Sequence, residues 1–374
     1  MRPFTVKIPD EALDDVRRRL VATRWIGDVA GDAPGYGASL SFTRGLADYW
    51  LHGFDWRALE ARINAQPQIL TEIDGLQIHA IHRPSSRPNA IPLLMIHGWP
   101  SSFLEFLDVC EALAEPKGDA PAFHVVVPSL PGHGFSSTRP GTSPRVIAAI
   151  FAELMTKLGY QRFLIQGANW GSSIGTEMAR EWPDQVIGLH LNSVNASPPP
   201  PEAGVVLSPA DQAMADTYVT LLGHPHFNLV SQTPFTPAHA LNDSPAGLAA
   251  WIGEKLLIWA DRDMTENPGL SPEWMVGTVA LYWFTGTAGT AHMLYREAVN
   301  DPVPERFVTV PTAVAHFARE LVMAPRPWAE RQYNIARWTS YGHGGHFAAI
   351  EVPDLFLGDV RSFAAELCGS GEAG

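Results

Sequence analysis

Apolar residues fall in two rhythms along this chain, and their order predicts the architecture. Short continuous apolar runs, as expected of strands buried on both faces, cover 92–97, 123–128, 163–165, 186–191, 307–314 and 338–340. Between them apolar residues recur at helical spacing from Ser102, over 145–158, over 172–182 and over 352–367. Strands alternating with helices predict a mostly parallel sheet with helices on both faces, an α/β fold.

Two stretches break the alternation. Residues 1–90 read as a leader. Leu13, Val16, Leu20 and Val21 mark one helix, and further helices cover 41–51 and 56–65, with a glycine- and proline-rich loop at 31–37. The leader ends in two β-runs, 68–73 and 76–82, flanking Asp74-Gly75, a hairpin signal. After the connector Asn195-Ala-Ser-Pro-Pro-Pro-Pro201, residues 205–300 read as helices rich in aromatics. The predicted division is a leader over 1–90 wrapping the core, a core over 91–197 and 301–374, and a helical cap over 198–300.

Composition narrows the partners. An apolar fraction of 46% with 17% charged residues suits a chain with a sizeable core. A net charge of −13 without a Lys/Arg cluster argues against nucleic acid. Cys110 and Cys368 read as two buried free thiols, with no metal-ligand or redox spacing. Neither a metal nor a cofactor is expected. The start lacks a signal-peptide core, and no run of about 18 apolar residues could span a bilayer. A soluble cytoplasmic protein with no membrane anchor, with a homodimer as a candidate assembly, is the expectation.

The candidate chemistry centres on Phe163-Leu-Ile-Gln-Gly-Ala-Asn-Trp-Gly-Ser. A buried strand runs into small residues two before and two after one polar residue, and a helix follows. That pattern predicts a nucleophile elbow, which lifts a reactive side chain to the carboxyl edge of a sheet. The apex is Asn169, whose amide is a poor nucleophile. Glu320 follows the resumed strand, and His346 lies in a glycine-rich turn after the last one. The order nucleophile, acid, histidine is that of the α/β-hydrolases. A solvated carboxylate at Glu320 and an incidental loop histidine at His346 are the alternatives. His97-Gly98-Trp99-Pro100 follows a strand expected beside the elbow strand, so the backbone N–H groups of Trp99 and Trp170 could form an oxyanion hole.

These motifs, with Pro131-Gly-His-Gly-Phe-Ser, Leu241-Asn-Asp-Ser-Pro-Ala-Gly-Leu-Ala-Ala, Tyr282-Trp and Gly344-Gly-His-Phe-Ala-Ala, resemble the microsomal-type epoxide hydrolases over essentially the whole chain. The resemblance implies an α/β-hydrolase fold with the cap and leader above, and a small hydrophobic epoxide as substrate. It implies that an elbow aspartate attacks an epoxide carbon, that His346 with Glu320 activates water against the resulting ester, and that cap tyrosines donate to the epoxide oxygen. Tyr295 matches one such tyrosine. The other should fall at His226 or Phe227, neither of which is Tyr; Tyr218 nearby and a protonated His226 are the candidate substitutes. Trp99, Trp170, Trp283 and Phe227 are expected to line the substrate pocket, and Trp251, Trp259 and Phe284 read as core or pocket.

Three readings of Asn169 follow. It replaces an aspartate in an otherwise intact hydrolase, leaving the protein inactive or trapped. It is a natural divergence toward non-covalent epoxide opening, cyclisation or isomerisation by the His/Glu pair and the cap tyrosine. Or the chain is a silent small-molecule binding protein.

Overall fold

The computed structural model describes residues 1–29, 31, 33, 35–262, 270–302 and 306–369. Residues 30, 32, 34, 263–269, 303–305 and 370–374 lie outside that description, among them parts of the loop 31–37.

The described residues form one nine-stranded sheet. Its strands are β1 (Arg2–Pro3), β2 (Gln68–Ile73), β3 (Leu76–Arg83), β4 (Ile91–Ile96), β5 (Phe123–Pro128), β6 (Phe163–Gly167), β7 (Val186–Leu191), β8 (Val308–Phe317) and β9 (Tyr333–Tyr341). They lie in the order β1-β2-β3-β5-β4-β6-β7-β8-β9. From β5 to β9 every pairing is parallel, and β1 to β3 join antiparallel. The hairpin predicted at Asp74-Gly75 therefore extends the main sheet through the β3–β5 pairing.

Both faces of the sheet are buried, which explains the unbroken apolar runs. Along β4, Leu93 and Met95 face one core while Leu94 and Ile96 face the other, the two-residue period of a strand. The helices Pro144–Lys157 and Trp170–Glu181 cover one side. Leu107–Ala114 and Pro353–Gly369 cover the opposite one.

Among the described residues, six α-helices lie between β7 and β8, from Pro209–Leu222 to Ala288–Asn300. Their starts are legible. Ser208-Pro209, Ser244-Pro245 and Ser271-Pro272 each place a serine at the N-cap and a proline in the first turn. Each serine hydroxyl accepts the amide two residues beyond that proline, satisfying a donor the helix leaves open. Helices from the first 90 residues press on these inserted helices: Leu46 fills the space a Cβ on Gly253 would take, and Arg19 lies over the Trp283 ring.

Three expectations need correction. The last strand spans Tyr333–Tyr341 and not 338–340, because it is a half-exposed edge whose polar outer positions hide the apolar period. Strand β8 runs on to Phe317, beyond the predicted 314. Cys368 is exposed near the end of the last helix, while Cys110 is buried as expected. No described helix is long and apolar enough to cross a membrane.

Candidate active site

Strand β6 ends at Gly167, and the chain reverses through Asn169 into the helix Trp170–Glu181. Asn169 has φ 53° and ψ −125°, a rare conformation for a residue with a side chain, which costs on the order of 1–3 kcal/mol. Its surroundings hold it there. The Asn169 N–H donates to Ser193 Oγ at 2.8 Å, and the Ser172 hydroxyl donates to the Ser193 carbonyl at 2.7 Å. A Cβ on Gly171 would collide with the Ile96 carbonyl oxygen, so only glycine lets the helix start so close to β4.

The pairing of β4 beside β6 brings the turn after Ile96 over the elbow. There the N–H of Trp99 donates to Asn169 Oδ1 at 3.2 Å and the N–H of Trp170 donates to the same oxygen at 2.7 Å. Gly98 makes this approach feasible, since a Cβ would run into the Asn169 side chain. At its other end, Asn169 Nδ2 lies 3.0 Å from His346 Nε2. An amide nitrogen can only donate, so His346 Nε2 accepts and its hydrogen sits on Nδ1. That Nδ1–H meets both carboxylate oxygens of Glu320, at 2.9 and 3.0 Å.

Glu320 is not on a helix; it follows β8 in a turn, and its Oε1 also accepts the Val322 N–H at 2.7 Å. Both His346 and Glu320 are buried. Burial alone would disfavour the His346 imidazolium, but the Glu320 carboxylate, with Glu105 and Glu351 behind it, outweighs this and raises its pKa. The histidine loop is clamped to the end of the inserted helix Pro245–Trp259. The His346 N–H donates to the Trp259 carbonyl, Glu351 accepts the N–H groups of Phe347 and Asp261, and Asp261 accepts that of Gly344.

Above Asn169 is a cavity of about 100 Å³, walled by Trp170, Leu221, His226, Phe227, Trp259, Tyr295, Leu321, Val322 and His346, with Ser173 and Asn195 at its side. Tyr295 stands edge-on to the Trp170 ring at 4.8 Å. Burial raises its pKa, offset in part by a hydrogen bond with the Trp170 side chain. The raised pKa keeps the Tyr295 phenol protonated, so it has a proton to give to an acceptor in the cavity.

Several sequence expectations change. Trp283 is not at the cavity; it packs against Trp50 and under Arg19. The Trp99 ring is 1% exposed behind the wall, stacked on His226 at 5.5 Å, so Trp99 meets the site through its backbone. Trp259 lines the cavity instead, while Trp251 donates to His292 and Phe284 packs on Trp56. Tyr218 turns to Asn195 Oδ1, outside the cavity wall.

His226 is on the wall, but not as a charged donor. Burial first, then His224 and Lys255, lower its pKa to about 3. His224 Nδ1 accepts the His226 backbone N–H, so the ring contact of 2.7 Å between the two Nδ1 atoms has His226 donating. The neutral His226 ring therefore keeps a lone pair on Nε2 and can only accept there.

Sequence reasoning missed Ser193, which anchors the elbow, and Glu105. Glu105 is 3% exposed, and burial raises its pKa to about 7 against the lowering effect of a Ser101 hydrogen bond. A single acid inside the apolar run Phe103-Leu-Glu-Phe-Leu107, just after the His97 motif, was the available signal.

Comparison with known proteins follows the same lines. Residues 1–106 match the family described as epoxide hydrolase N terminus, and residues 91–254 match the alpha/beta hydrolase fold family. A Stigmatella aurantiaca protein, itself only provisionally named an epoxide hydrolase, is 39% identical over 98% of this chain and 85% of its own length. Epoxide hydrolase 1 of Sus scrofa is 34% identical over 97% of this chain and 88% of its own. The crystal structure of the juvenile hormone epoxide hydrolase from the silkworm Bombyx mori superposes with a TM-score of 0.91 at 28% identity, covering 99% of this chain and 95% of that one.

Proposed function

This chain belongs to the epoxide hydrolase family, and from that premise we propose that its site is built to open an epoxide to a vicinal diol through an ester on residue 169. Asn169 stands where the attacking carboxylate belongs. With a carboxylate there, one oxygen would stay in the Trp99/Trp170 hole and the other, in the place of Nδ2, would attack an epoxide carbon. Tyr295 would donate its free proton to the oxygen of the opening ring. His346, oriented by Glu320, would then take a proton from water as it attacks the ester carbonyl, whose developing charge the two N–H groups receive.

The observation that carries this reading is the seating of Asn169. Its oxygen accepts two backbone N–H groups while its nitrogen meets His346 Nε2 at 3.0 Å, the two positions a nucleophilic carboxylate would need. The amide nitrogen has its lone pair delocalised into the carbonyl, so the protein with Asn169 does not form the ester and is inactive as a hydrolase. The apolar wall of Trp170, Leu221, Phe227, Trp259, Leu321 and Val322 supports a small hydrophobic epoxide. The division into leader, core and cap over 198–300 belongs to the same reading, with the leader bracing the cap.

One observation favours the second reading, natural divergence to non-covalent chemistry. The wall offers one phenol donor, Tyr295, and an acceptor at His226 where a second tyrosine is expected. A silent binding protein is the weakest reading, because it gives the buried His346–Glu320 pair nothing to do.

The deciding experiment is Asn169→Asp, assayed for diol formation from simple aryl and alkyl epoxides. Diol formation is expected; none from any of them would defeat the hydrolase reading. A single turnover of that variant in heavy-oxygen water should label the protein carboxylate before later diol. Label in the first diol instead would exclude the ester. An asparagine codon at position 169 in the unmodified coding sequence would exclude an engineered replacement of aspartate.

A further inference from the structure

The arrangement around Asn169 is also that of an acyl group awaiting hydrolysis. Its carbonyl oxygen is held by two N–H donors, at 3.2 and 2.7 Å. A histidine whose Nε2 is unprotonated, backed by a buried carboxylate, lies 3.0 Å from the nitrogen that would leave and accepts its N–H. The cavity of about 100 Å³ opens onto this amide and has room for several waters. The machinery proposed above for the ester therefore faces an amide in its place.

We propose that the protein hydrolyses its own Asn169 side chain, converting it to an aspartate and thereby generating its nucleophile. The idea rests on the hydrolytic reading of His346 and Glu320. Water displaces the Nδ2–H from His346 Nε2, gives that nitrogen a proton and bonds to Asn169 Cγ. The charge on Oδ1 is taken by the N–H groups of Trp99 and Trp170. His346 then passes the proton to Nδ2, the C–N bond breaks, and ammonia leaves. The new acid transfers its proton to the ammonia, so one amide and one water become one carboxylate and one ammonium ion. The reaction is slow because an amide is a poorer acyl group than an ester and because Nδ2–H competes with water for Nε2.

The competing route to deamidation is attack on Cγ by the Trp170 nitrogen, giving a cyclic imide. It requires that N–H to be stripped, and its partner is the amide oxygen at 2.7 Å, not a base. The two routes differ in their products. Direct hydrolysis yields only the normal α-linked aspartate, whereas the imide also yields the β-linked isomer.

The test is to incubate the purified full chain near neutral pH for weeks, following intact mass, the peptide that spans position 169, and diol formation. The expected result is a gain of about 1 Da, or about 3 Da in heavy-oxygen water, localised to position 169 with normal linkage. Hydrolase activity should grow in step with it. His346→Gln, and independently Glu320→Gln in case the first fails to fold, should slow conversion at this position at least about 100-fold while other asparagines are unaffected. An unchanged amide, β-linked product, or conversion indifferent to both substitutions would overturn the proposal. Asn169→Asp run in parallel separates the two ideas. An active variant beside an unchanging amide removes only self-conversion. A converting amide beside an inactive variant removes only the epoxide hydrolase reading.

Discussion

Gly98→Ala gives the sharpest check on the two-donor hole. Gly98 is not among the residues with positive φ, so the substitution tests space and not backbone conformation. An alanine Cβ would stand 2.6 Å from Asn169 Cγ and closer still to Cβ and Oδ1. The closest approach, to Oδ1, is 2.3 Å and ordinary contact begins near 3.4 Å, so the residue 169 side chain must retreat by about 1.1 Å or the Trp99 turn must lift by as much. Either movement stretches the 3.2 Å bond from the Trp99 N–H beyond hydrogen-bond range, while the 2.7 Å bond from Trp170, the next residue in the chain, survives. Losing one such donor costs roughly 2.7–4 kcal/mol of transition-state stabilisation, or about 10²–10³ in rate. Overpacking should also take about 1–3 kcal/mol from stability, visible as a lower Tm in a protein that still folds. The assay is kcat for diol formation by the Asn169→Asp protein with and without Gly98→Ala, with thermal unfolding as the folding control. An unchanged kcat in a folded double variant would refute the hole.

Three further outcomes are expected. In the Asn169→Asp background, Glu320→Gln should lower kcat about 100-fold or more and move the acid limb of the pH–rate profile to lower pH, because the Glu320 charge holds the His346 pKa up against burial; an unmoved limb would deny Glu320 that role. In the same background His226→Tyr restores a second phenol donor, and one hydrogen bond made only in the transition state should raise kcat about tenfold; no gain would mean that Tyr295 suffices. Burial raises the Glu105 pKa from 4.5 to about 7, so between those values the folded protein binds a proton that the unfolded chain has lost, and stability falls as pH rises through this window. Glu105→Gln should therefore gain up to roughly 3 kcal/mol in urea unfolding at pH 8 and nothing at pH 4, and equal gains at both would place the effect elsewhere.

Much of the site was legible because its logic runs along the chain. Buried parallel strands leave continuous apolar runs, and the elbow needs small residues at fixed offsets from its apex. Gly171 and Asn169 could be assigned on that basis before any contact was known. The positions of Glu320 and His346 followed from the strands that precede them, since active-site loops in such sheets leave the carboxyl ends of successive strands. The cap was less legible. Its helix Pro272–Thr285 is apolar almost all round and buried on many sides, so periodicity could not say whether Trp283 or a neighbour faces the substrate.

The sequence by itself determined the fold class, and it singled out the elbow with its anomalous asparagine, His346 and Glu320 as candidate partners, and the Trp99 and Trp170 amides as candidate donors. These follow from local chain geometry and from strand order, both written in nearby residues. Only the tertiary structure decided that Trp259 and not Trp283 walls the cavity, that the His226 ring presents an acceptor, and that Glu105 lies buried near His346. Each depends on how the cap docks on the sheet or on a hydrogen bond between side chains, and a linear pattern of apolar and polar positions carries neither.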